Sequence, residues 1–272
     1  MMRDYPILDP RADRAARRGS CALAMMIKTP QAGTSKTRLV PPLAPDEAAD
    51  LSICFLRDTA ANIVGITSLG GAEGVAVYTP VGSEAAFDNL LPETFILLAQ
   101  RGESFSERLL YATEDLLSLG YESLCLINSD SPTLPSALLK QAVDALARAG
   151  DRVILGPSDD GGYYLIGLKH AHRHLFSNVD WSTSRVLAQT IKRAAEIELD
   201  IEVLPSWYDV DDGLSLSYLC NELFSSNGEG VKRTPLVGYS AAYTRSYLSW
   251  LLERQGRERI WPNKTVDEAI TG

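Results

Sequence analysis

Two cationic side chains, Lys36 and Arg38, lie in a loop that follows the first apolar run of the chain. The loop runs from Lys28 to Leu39 and reads KTPQAGTSKTRL. Gly33 lets a ligand approach the backbone closely, and arginine can hold a phosphate through two parallel hydrogen bonds. The loop is neither a P-loop nor a dinucleotide fingerprint. The residue types indicate a phosphate-binding loop, with a solvated basic loop as the alternative.

Acidic residues stand at two later points of the chain. Asp130 stands in the sequence NSDSP, where an apolar run ends, and Asp209 and Asp211 stand in YDVDDG before a helical segment. A hard divalent cation prefers carboxylate oxygens. Residues two apart in an extended chain point the same way, so the pair could complete a Mg²⁺ or Mn²⁺ site beside Asp130. The alternative is helix capping, and one aspartate of the second group is expected to cap its helix.

Two further segments carry residues that could do chemistry. Asp159 and Asp160 lie in GPSDDGGYY, where Asp-Gly before a strand is first a turn signal; alternatively, the loop crosses the substrate pocket and supplies an acid. All three histidines alternate at His170, His172 and His174. They could bind zinc if this segment were a strand, but it follows a strand and is predicted to be a loop, which argues against a zinc site.

The elements that must position these loops alternate between strands and helices. Apolar runs without alternation indicate strands buried on both faces, at 21–27, 74–79, 94–98, 123–128, 152–156 and 201–204. Helical patterns are predicted at 45–64, 83–91, 104–119, 135–149, 182–195 and 214–224. This order predicts an α/β fold, a Rossmann-like three-layer sandwich with a mostly parallel mixed sheet, in which 163–168 pairs antiparallel at one side. Ligands of open α/β sheets lie at the carboxyl ends of the strands, where the candidate residues fall.

Composition limits the function classes. The chain has 272 residues, 45% of them hydrophobic, and a net charge of −9, which is typical of a globular protein and argues against a nucleic-acid partner. No apolar stretch approaches the roughly 20 residues of a membrane helix, so no membrane span is expected. The four cysteines lie far apart in sequence and are expected to be buried free thiols of a reducing compartment, which favours a cytoplasmic location.

Three parts of the chain are expected. Residues 1–20 are predicted to be a flexible N-terminal extension, and 21–224 a single nucleotide-binding domain. Residues 225–272 are predicted to be a linker and a C-terminal helical appendage. Its amphipathic segment 240–254 is expected to pack on the domain or on a partner, and it could form a homodimer contact.

The ordered motifs KTPQAGTSKTRL, LINSDSPTL, GPSDDGGYYLIGL, VDWSTSRVL and YDVDD resemble the DUF2064 group of GT-A-like transferases over about residues 22–220. The K-T-R-L loop is also similar to the K-S-R-L loop of phospholactate guanylyltransferases. The resemblance implies a GT-A-like fold similar to the nucleotide-diphospho-sugar transferases. The chain departs from the pattern at Asn128, where a small residue is usual, and at Ser131. Its acidic motif is Asn-Ser-Asp, so this loop offers the metal one carboxylate.

The resemblance also implies roles for particular residues. Asp130 would be the main metal ligand and would act in catalysis with Lys36 and Arg38, while Asp211 completes the metal site and Asp209 assists or substitutes. Nucleotide binding would involve a set drawn from the first loop and from the loop that borders the acceptor: Lys28, Gly33, Lys36, Thr37, Arg38, Asp159, Asp160, Gly161 and Gly162. The motif Trp181-Ser182-Thr183 matches the family without a role that its residue types explain.

The leading hypothesis from the sequence is a metal-dependent transferase that uses a nucleotide donor. It would transfer a glycosyl group from a nucleotide-diphospho-sugar to a small-molecule acceptor, with Mg²⁺ or Mn²⁺ as cofactor. The nearest alternative is nucleotidylyl transfer from a nucleoside triphosphate to a phosphorylated acceptor, with release of pyrophosphate. A third hypothesis is a non-catalytic nucleotide-binding protein.

Overall fold

A single mixed sheet organises the chain. The computed structural model describes residues 5–11, 20–225 and 236–261, and within these ranges the sheet has seven strands: β1 (Cys21–Lys28), β2 (Ala72–Thr79), β3 (Ile96–Ala99), β4 (Ser123–Ile127), β5 (Arg152–Pro157), β6 (Tyr163–Leu168) and β7 (Asp200–Val203). Their order is β3-β2-β1-β4-β6-β5-β7. Only β6 runs antiparallel to its neighbours β4 and β5. The predicted α/β fold with a mostly parallel mixed sheet is therefore confirmed.

Helices cover both faces of the sheet and make the expected three layers. The described helices are α1 (Pro45–Thr67), α2 (Phe105–Ser118), α3 (Ser136–Ala147), α4 (Val186–Glu196), α5 (Gly213–Phe224), α6 (Ala242–Gln255) and α7 (Arg257–Ile260). One buried apolar cluster joins α1, α3, α5 and α6 to one face, and the other joins α2 and α4 to the opposite face. Alternate residues of β1 belong to different clusters: Leu23 and Met25 to the first, Ala22 and Ala24 to the second. The unbroken apolar run of this strand follows from burial on both sides.

Three predicted elements differ from the structure. The segment predicted as a helix at 83–91 forms only a 3₁₀ turn, Glu84–Phe87, and so short a segment gains little from helix propagation. The helix predicted from residue 182 begins at Val186, since Ser182 has a left-handed φ of 62°. The antiparallel strand β6 lies inside the sheet rather than at its side, and this position explains why Tyr164–Leu168 is wholly buried.

Segments outside the predicted domain also contact it. Within the predicted N-terminal extension, residues 6–8 run beside β3, where the Leu8 amide donates to Leu97 O at 2.8 Å. In the predicted C-terminal appendage, α6 packs on α1. The buried carboxylate of Asp58 accepts hydrogen bonds from the amides of Tyr243 and Thr244 at the start of α6. No described helix is long and apolar enough to cross a membrane.

Candidate active-site cleft

A cleft of about 370 Å³ opens at the carboxyl ends of β1 and β4. One wall is the basic loop after β1, and the opposite wall comes from the start of α2. Its lining residues include Lys28, Thr34, Ser35, Lys36, Thr37, Arg38, Thr79, Gln100, Phe105, Arg108, Ser129, Asp130 and Asp211. The cleft therefore lies where an open α/β sheet binds its ligands.

The Lys36 ammonium lies between two carboxylates in this cleft. Its Nζ is 2.5 Å from Asp130 Oδ1 and 2.9 Å from Asp211 Oδ1, and it donates to Val210 O at 2.9 Å. The other Asp211 oxygen accepts from Arg38 at 2.7 Å. The side chain of Lys36 is 7% exposed, whereas that of Arg38 is 72% exposed. Of these two cations, Lys36 is buried within the cleft and Arg38 is exposed to solvent.

The backbone brings these groups together from distant parts of the chain. The amide of Val210 donates to Asp130 O at 2.8 Å, which places the two acidic segments side by side. In the basic loop, the amides of Thr34 and Ser35 both donate to Gln31 O, which closes a turn before Lys36. Lys36 itself has a φ of 49°, a conformation that costs energy for a residue with a Cβ. The local cost is offset by the three contacts that its ammonium makes.

The charges of the two acids keep Lys36 protonated. Burial alone acts to lower the pKa of Lys36, because removing water disfavours the charged form. The negative charges of Asp130 and Asp211, with their hydrogen bonds, outweigh burial and raise the pKa above its ordinary value. The arrangement is therefore a site for a positive charge held by two carboxylates.

Asp209 occupies a different environment from Asp211. Its oxygens accept from Asn128 Nδ2 at 2.8 Å, from Ser131 Oγ at 2.5 Å and from Ser158 Oγ at 2.9 Å. Burial raises the pKa of Asp209 to about 6, the hydrogen bonds oppose this, and the charge of Asp130 adds to it. Asp209 and Asp211, which were expected to point the same way, have different partners: Asp209 accepts from neutral side chains, whereas Asp211 pairs with Lys36 and Arg38.

Two open questions from the sequence concern helix capping. Asp212, rather than Asp209 or Asp211, caps α5, accepting from the Ser215 amide at 2.8 Å. Asp130 is no helix cap, because α3 begins after Pro135 without a side-chain cap. Both Asp130 and Asp211 are therefore left to meet the cations of the cleft.

The cleft includes only part of the predicted nucleotide-binding set. It is lined by four of them, Lys28, Lys36, Thr37 and Arg38, and by the predicted metal ligands Asp130 and Asp211. Its lining does not include the other predicted nucleotide-binding residues Gly33, Asp159, Asp160, Gly161 and Gly162, nor the predicted metal ligand Asp209.

Residues 158–162 form a closed turn that is not part of the cleft lining. The Asp160 carboxylate accepts from the Gly162 amide at 2.8 Å. Gly161 has a φ of 87°, and a Cβ there would lie 2.2 Å from Ser184 O. The segment after Trp181 therefore packs against this turn, which gives the Trp-Ser-Thr motif a structural place.

Phe105 and Arg108 line the cleft but were missed by sequence reasoning. Both belong to the first turn of α2, which starts after Ser104 with a capping box. The Phe105 ring is 50% exposed and lies edge-on to Trp181, with ring centroids 5.1 Å apart. The signal that could have found them is their position, since the loop after β3 is also at the carboxyl end of a strand.

The histidines also divide between two environments. His170 and His172 both face Asp151, which precedes β5. His174 instead pairs with Glu196, at 2.7 Å. The three imidazoles therefore share no common site, although two of them meet around one carboxylate at the sheet edge opposite the cleft.

The sheet order, the three layers and a cleft lined by cations and carboxylates define a GT-A-like α/β protein. Comparisons agree. Residues 64–183 match the family model described as "Uncharacterized protein conserved in bacteria (DUF2064)", so the resemblance to this family is confirmed. The matched range contains Asp130 but neither the basic loop nor Asp211. No curated protein matches the chain significantly.

A solved structure extends the resemblance to nearly the whole chain. The "putative nucleotide-diphospho-sugar transferase" from Desulfovibrio desulfuricans G20 is 27% identical, with a TM-score of 0.71 over 88% of this chain and 98% of that one. A cytidylyltransferase from Leptospira borgpetersenii is more distant, at 12% identity and a TM-score of 0.48 over 92% of this chain and 99% of that one.

Proposed function

We propose that this protein is a transferase that takes a glycosyl group from a nucleotide-diphospho-sugar and passes it to a small-molecule acceptor. The observation that carries the proposal is the meeting of Lys36 and Arg38 with Asp130 and Asp211 in a cleft at the carboxyl ends of the strands. The similarity over 88% of the chain to a protein named as such a transferase supports the choice of donor.

The chain's own cations suit a diphosphate leaving group. When the bond between the sugar and the diphosphate breaks, negative charge develops on the phosphate oxygens. Fixed positive groups in a partly desolvated cleft stabilise this charge, and removing one such contact typically costs about 3–4 kcal/mol of barrier. Arg38 stands at the mouth with its guanidinium exposed, and Arg108 on the opposite wall adds a further positive charge.

The donor set at the centre of the cleft fits a divalent cation. Asp130 Oδ1 and Asp211 Oδ1 both contact one positively charged atom, Lys36 Nζ, at 2.5 and 2.9 Å. They are therefore close enough to share a small cation, and Mg²⁺ and Mn²⁺ both prefer such oxygen ligands. Asp130 and Asp211 would hold the ion, which would neutralise charge on the diphosphate. Asp209 is left out of this set because its oxygens accept from Asn128, Ser131 and Ser158.

The opposite wall offers a place for the uncharged part of a ligand. The exposed face of Phe105 borders the cleft, and its edge-on contact with Trp181 supports the ring. Gln100 is tied into the strand ends, because its amide donates to Ile27 O and Val77 O. We therefore assign the apolar contact to Phe105 and a structural role to Gln100.

Nucleotidylyl transfer is the second candidate, and the basic loop favours it too. In that reaction a phosphorylated acceptor attacks the α-phosphate of a nucleoside triphosphate, and the leaving group is pyrophosphate. The Lys36-Thr37-Arg38 segment would then hold the triphosphate. The two reactions need the same cations and carboxylates, so the products distinguish them.

The test is a thermal-shift panel of nucleoside triphosphates and nucleotide-diphospho-sugars, each with Mg²⁺, with Mn²⁺ and without metal. A specific ligand at 100 times its Kd should add about 2.7 kcal/mol of stability. Ligands that stabilise are then incubated with acceptors. Release of a nucleoside diphosphate supports glycosyl transfer, and release of pyrophosphate supports nucleotidylyl transfer instead. Binding without turnover against every acceptor would favour a non-catalytic nucleotide-binding protein, and absence of any nucleotide effect would overturn the proposal.

A further inference from the structure

Asp151, His170 and His172 form a compact cluster at the sheet edge opposite the cleft. His172 Nε2 is 2.8 Å from Asp151 Oδ2, and His170 Nδ1 is 3.1 Å from Asp151 Oδ1. The imidazole centroids are 6.0 Å apart, with the ring planes at 67°. One ligand atom from each residue lies within 4.8 Å of the other two. Two nitrogens and an oxygen thus converge on one point.

The sheet fixes the positions of these three residues. In the antiparallel pair, Ile154 is opposite Gly167 and Leu155 is opposite Ile166. Continuing that register by three residues beyond Ile154 places Asp151 opposite His170. Asp151 directly precedes β5, and His172 is the residue before the 3₁₀ turn Arg173–Phe176. The cluster therefore needs no rearrangement of a long loop to form.

We propose that Asp151, His170 and His172 bind a transition-metal ion of the zinc class. Imidazole nitrogen with carboxylate oxygen is a donor set that suits Zn²⁺, and three protein ligands leave a fourth position for water. Zinc binds nitrogen at about 2.0–2.1 Å and oxygen at about 2.0–2.2 Å. Side-chain rotations that move the ligand atoms by about 1 Å would therefore place them around an ion. His170 is exposed, so an ion can enter from solvent.

The cluster is incompletely satisfied without an ion. Asp151 Oδ1 is buried, and among the described residues it has a charge contact with His170 Nδ1 at 3.1 Å but no hydrogen bond of good geometry. Burying a polar atom without a partner costs free energy, and a cation would remove that cost. The neighbouring Lys169 ammonium is directed elsewhere, as it donates to Arg148 O and Gly150 O.

This site is separate from the cleft. The strand β5 runs from beside Asp151 to Pro157, near the turn that contacts Asp209, and its six residues span about 20 Å at roughly 3.3 Å per residue. An ion held by Asp151, His170 and His172 would tie the segment after β6 to the start of β5. Its role would be to stabilise this sheet edge, and it would not take part in transfer.

The test measures Zn²⁺ binding by titration calorimetry on the full-length chain after chelator treatment. Excess Mg²⁺ is present to occupy oxygen sites such as the cleft. We expect one Zn²⁺ per chain to bind. In the double variant His170→Ala/His172→Ala we expect affinity to fall at least roughly 100-fold, because even losing a group that only orients a ligand costs about 10–100-fold. His174→Ala is the matched control, since it removes an imidazole that pairs with Glu196, and it should leave binding unchanged.

A second measurement separates the loss of a metal ligand from a change in folding. Co²⁺ in place of Zn²⁺ should give visible absorption bands of a nitrogen- and oxygen-ligated ion in the parent chain and in His174→Ala, and lose them in Asp151→Asn. Circular dichroism of each variant reports the fold. No Zn²⁺ binding in the parent, or equal loss in His174→Ala, would overturn the proposal. Neither result bears on nucleotide binding in the cleft.

Discussion

The two ends of the sheet hold positive charge in different ways. At the carboxyl ends of β1 and β4, two carboxylates surround a lysine that is 7% exposed. At the opposite edge, one carboxylate faces two imidazoles, one of them largely exposed. The first end offers oxygen ligands, and a metal ion bound there would have to displace the Lys36 ammonium or share the two carboxylates with it. The second offers mostly nitrogen ligands with nothing between them. The same fold thus separates a site suited to a hard cation from one suited to a borderline metal.

Asp209 and Asp151 have pKa shifts in opposite directions. Beside Asp130 but outside the cleft lining, burial raises the pKa of Asp209 to about 6, and the charge of Asp130 adds to it. At the other edge, burial acts to raise the pKa of Asp151, but His170 and His172 outweigh burial and hold it below its ordinary value. The negative charge of Asp130 therefore disfavours the charged form of its neighbour Asp209. The opposite edge neutralises its single carboxylate locally.

The largest effect is expected from Asp130→Asn, which removes one charge from the cleft and keeps the size of the side chain. Turnover should fall by about 100- to 1,000-fold, because charge-stabilising contacts are worth about this much in the transition state. The rate of nucleoside diphosphate release measures it. The control is Asp160→Asn, whose carboxylate lies outside the cleft in a closed turn. Full metal-dependent turnover in Asp130→Asn would contradict the assignment of the site.

The next effect concerns Lys36→Met, which leaves Asp130 and Asp211 facing each other without their shared cation. Breaking a buried pair from one side is strongly destabilising. Because the side chains of these acids are 40% and 28% exposed, solvent screening reduces the loss. We expect the free energy of unfolding to fall by about 2 kcal/mol, and Mg²⁺ or Mn²⁺ to restore part of it. Urea denaturation with and without metal measures both.

The matched control for this variant is Lys28→Met, because Lys28 also lines the cleft but is exposed, and the ion pairs of both acids are with Lys36 and Arg38 instead. It should change the free energy of unfolding by less than about 0.5 kcal/mol. If Lys36→Met were as stable as Lys28→Met, the contrast between a buried cation at one end and an open ligand set at the other would not hold.

The third prediction uses the raised pKa of Asp209. An unfolded aspartate has a pKa of about 3.9, so the folded protein takes up a proton between about pH 4 and pH 6. The resulting stability is present below pH 4 and is lost as pH rises through about 6. A shift to about 6 corresponds to about 2–3 kcal/mol. Asp209→Asn should remove this loss of stability with rising pH. Urea denaturation across pH 4–8 measures the free energy of unfolding of both chains.

The readout for Asp209→Asn is the change of the unfolding free energy with pH rather than its absolute value, since the new amide also faces the donors Asn128 and Ser131. Asp151→Asn should leave the pH dependence between pH 4 and pH 8 close to that of the parent chain and change it only below about pH 4. The Asp151 pKa is lowered, so its contribution is present above the ordinary pKa and lost as pH falls. Equal slopes in the two variants would remove the proposed difference between the two ends.

The sequence predicted the fold more fully than the sites. Apolar runs identify strands such as β1 because burial on both faces leaves a local pattern. Lys36 is 94 positions from Asp130 and 175 positions from Asp211 in the sequence, and only the fold brings the three side chains into contact. Neither the residue types nor the family resemblance predicted this contact, because both assigned Lys36 to phosphate and the acids to a metal ion. The differing partners of Asp209 and Asp211 depend on loop backbone angles that no pattern encodes.

Two misplaced expectations have specific physical causes. The loop of Asp159 and Asp160 was a candidate for the ligand site, but it forms a turn held by its own hydrogen bond and packed on Ser184, and it does not line the cleft. Phe105 was overlooked because an aromatic residue at the start of an amphipathic helix normally predicts packing. Here the residue is half-exposed, and only the three-dimensional structure shows that its ring borders the cleft.

The smallest effect on stability is expected from Arg38→Ala. The guanidinium is 72% exposed and pairs with Asp211 at 2.7 Å, and exposed ion pairs contribute about 0–1 kcal/mol. A hydrogen bond to a charged group can contribute about 1.5–3 kcal/mol, so nucleotide affinity should fall at least about 10-fold. Arg185→Ala is the control, because Arg185 is similarly exposed and pairs with Asp180 outside the cleft. Urea denaturation and nucleotide titration separate the two quantities. Equal nucleotide affinity in both variants would mean that Arg38 does not bind the phosphates of the nucleotide.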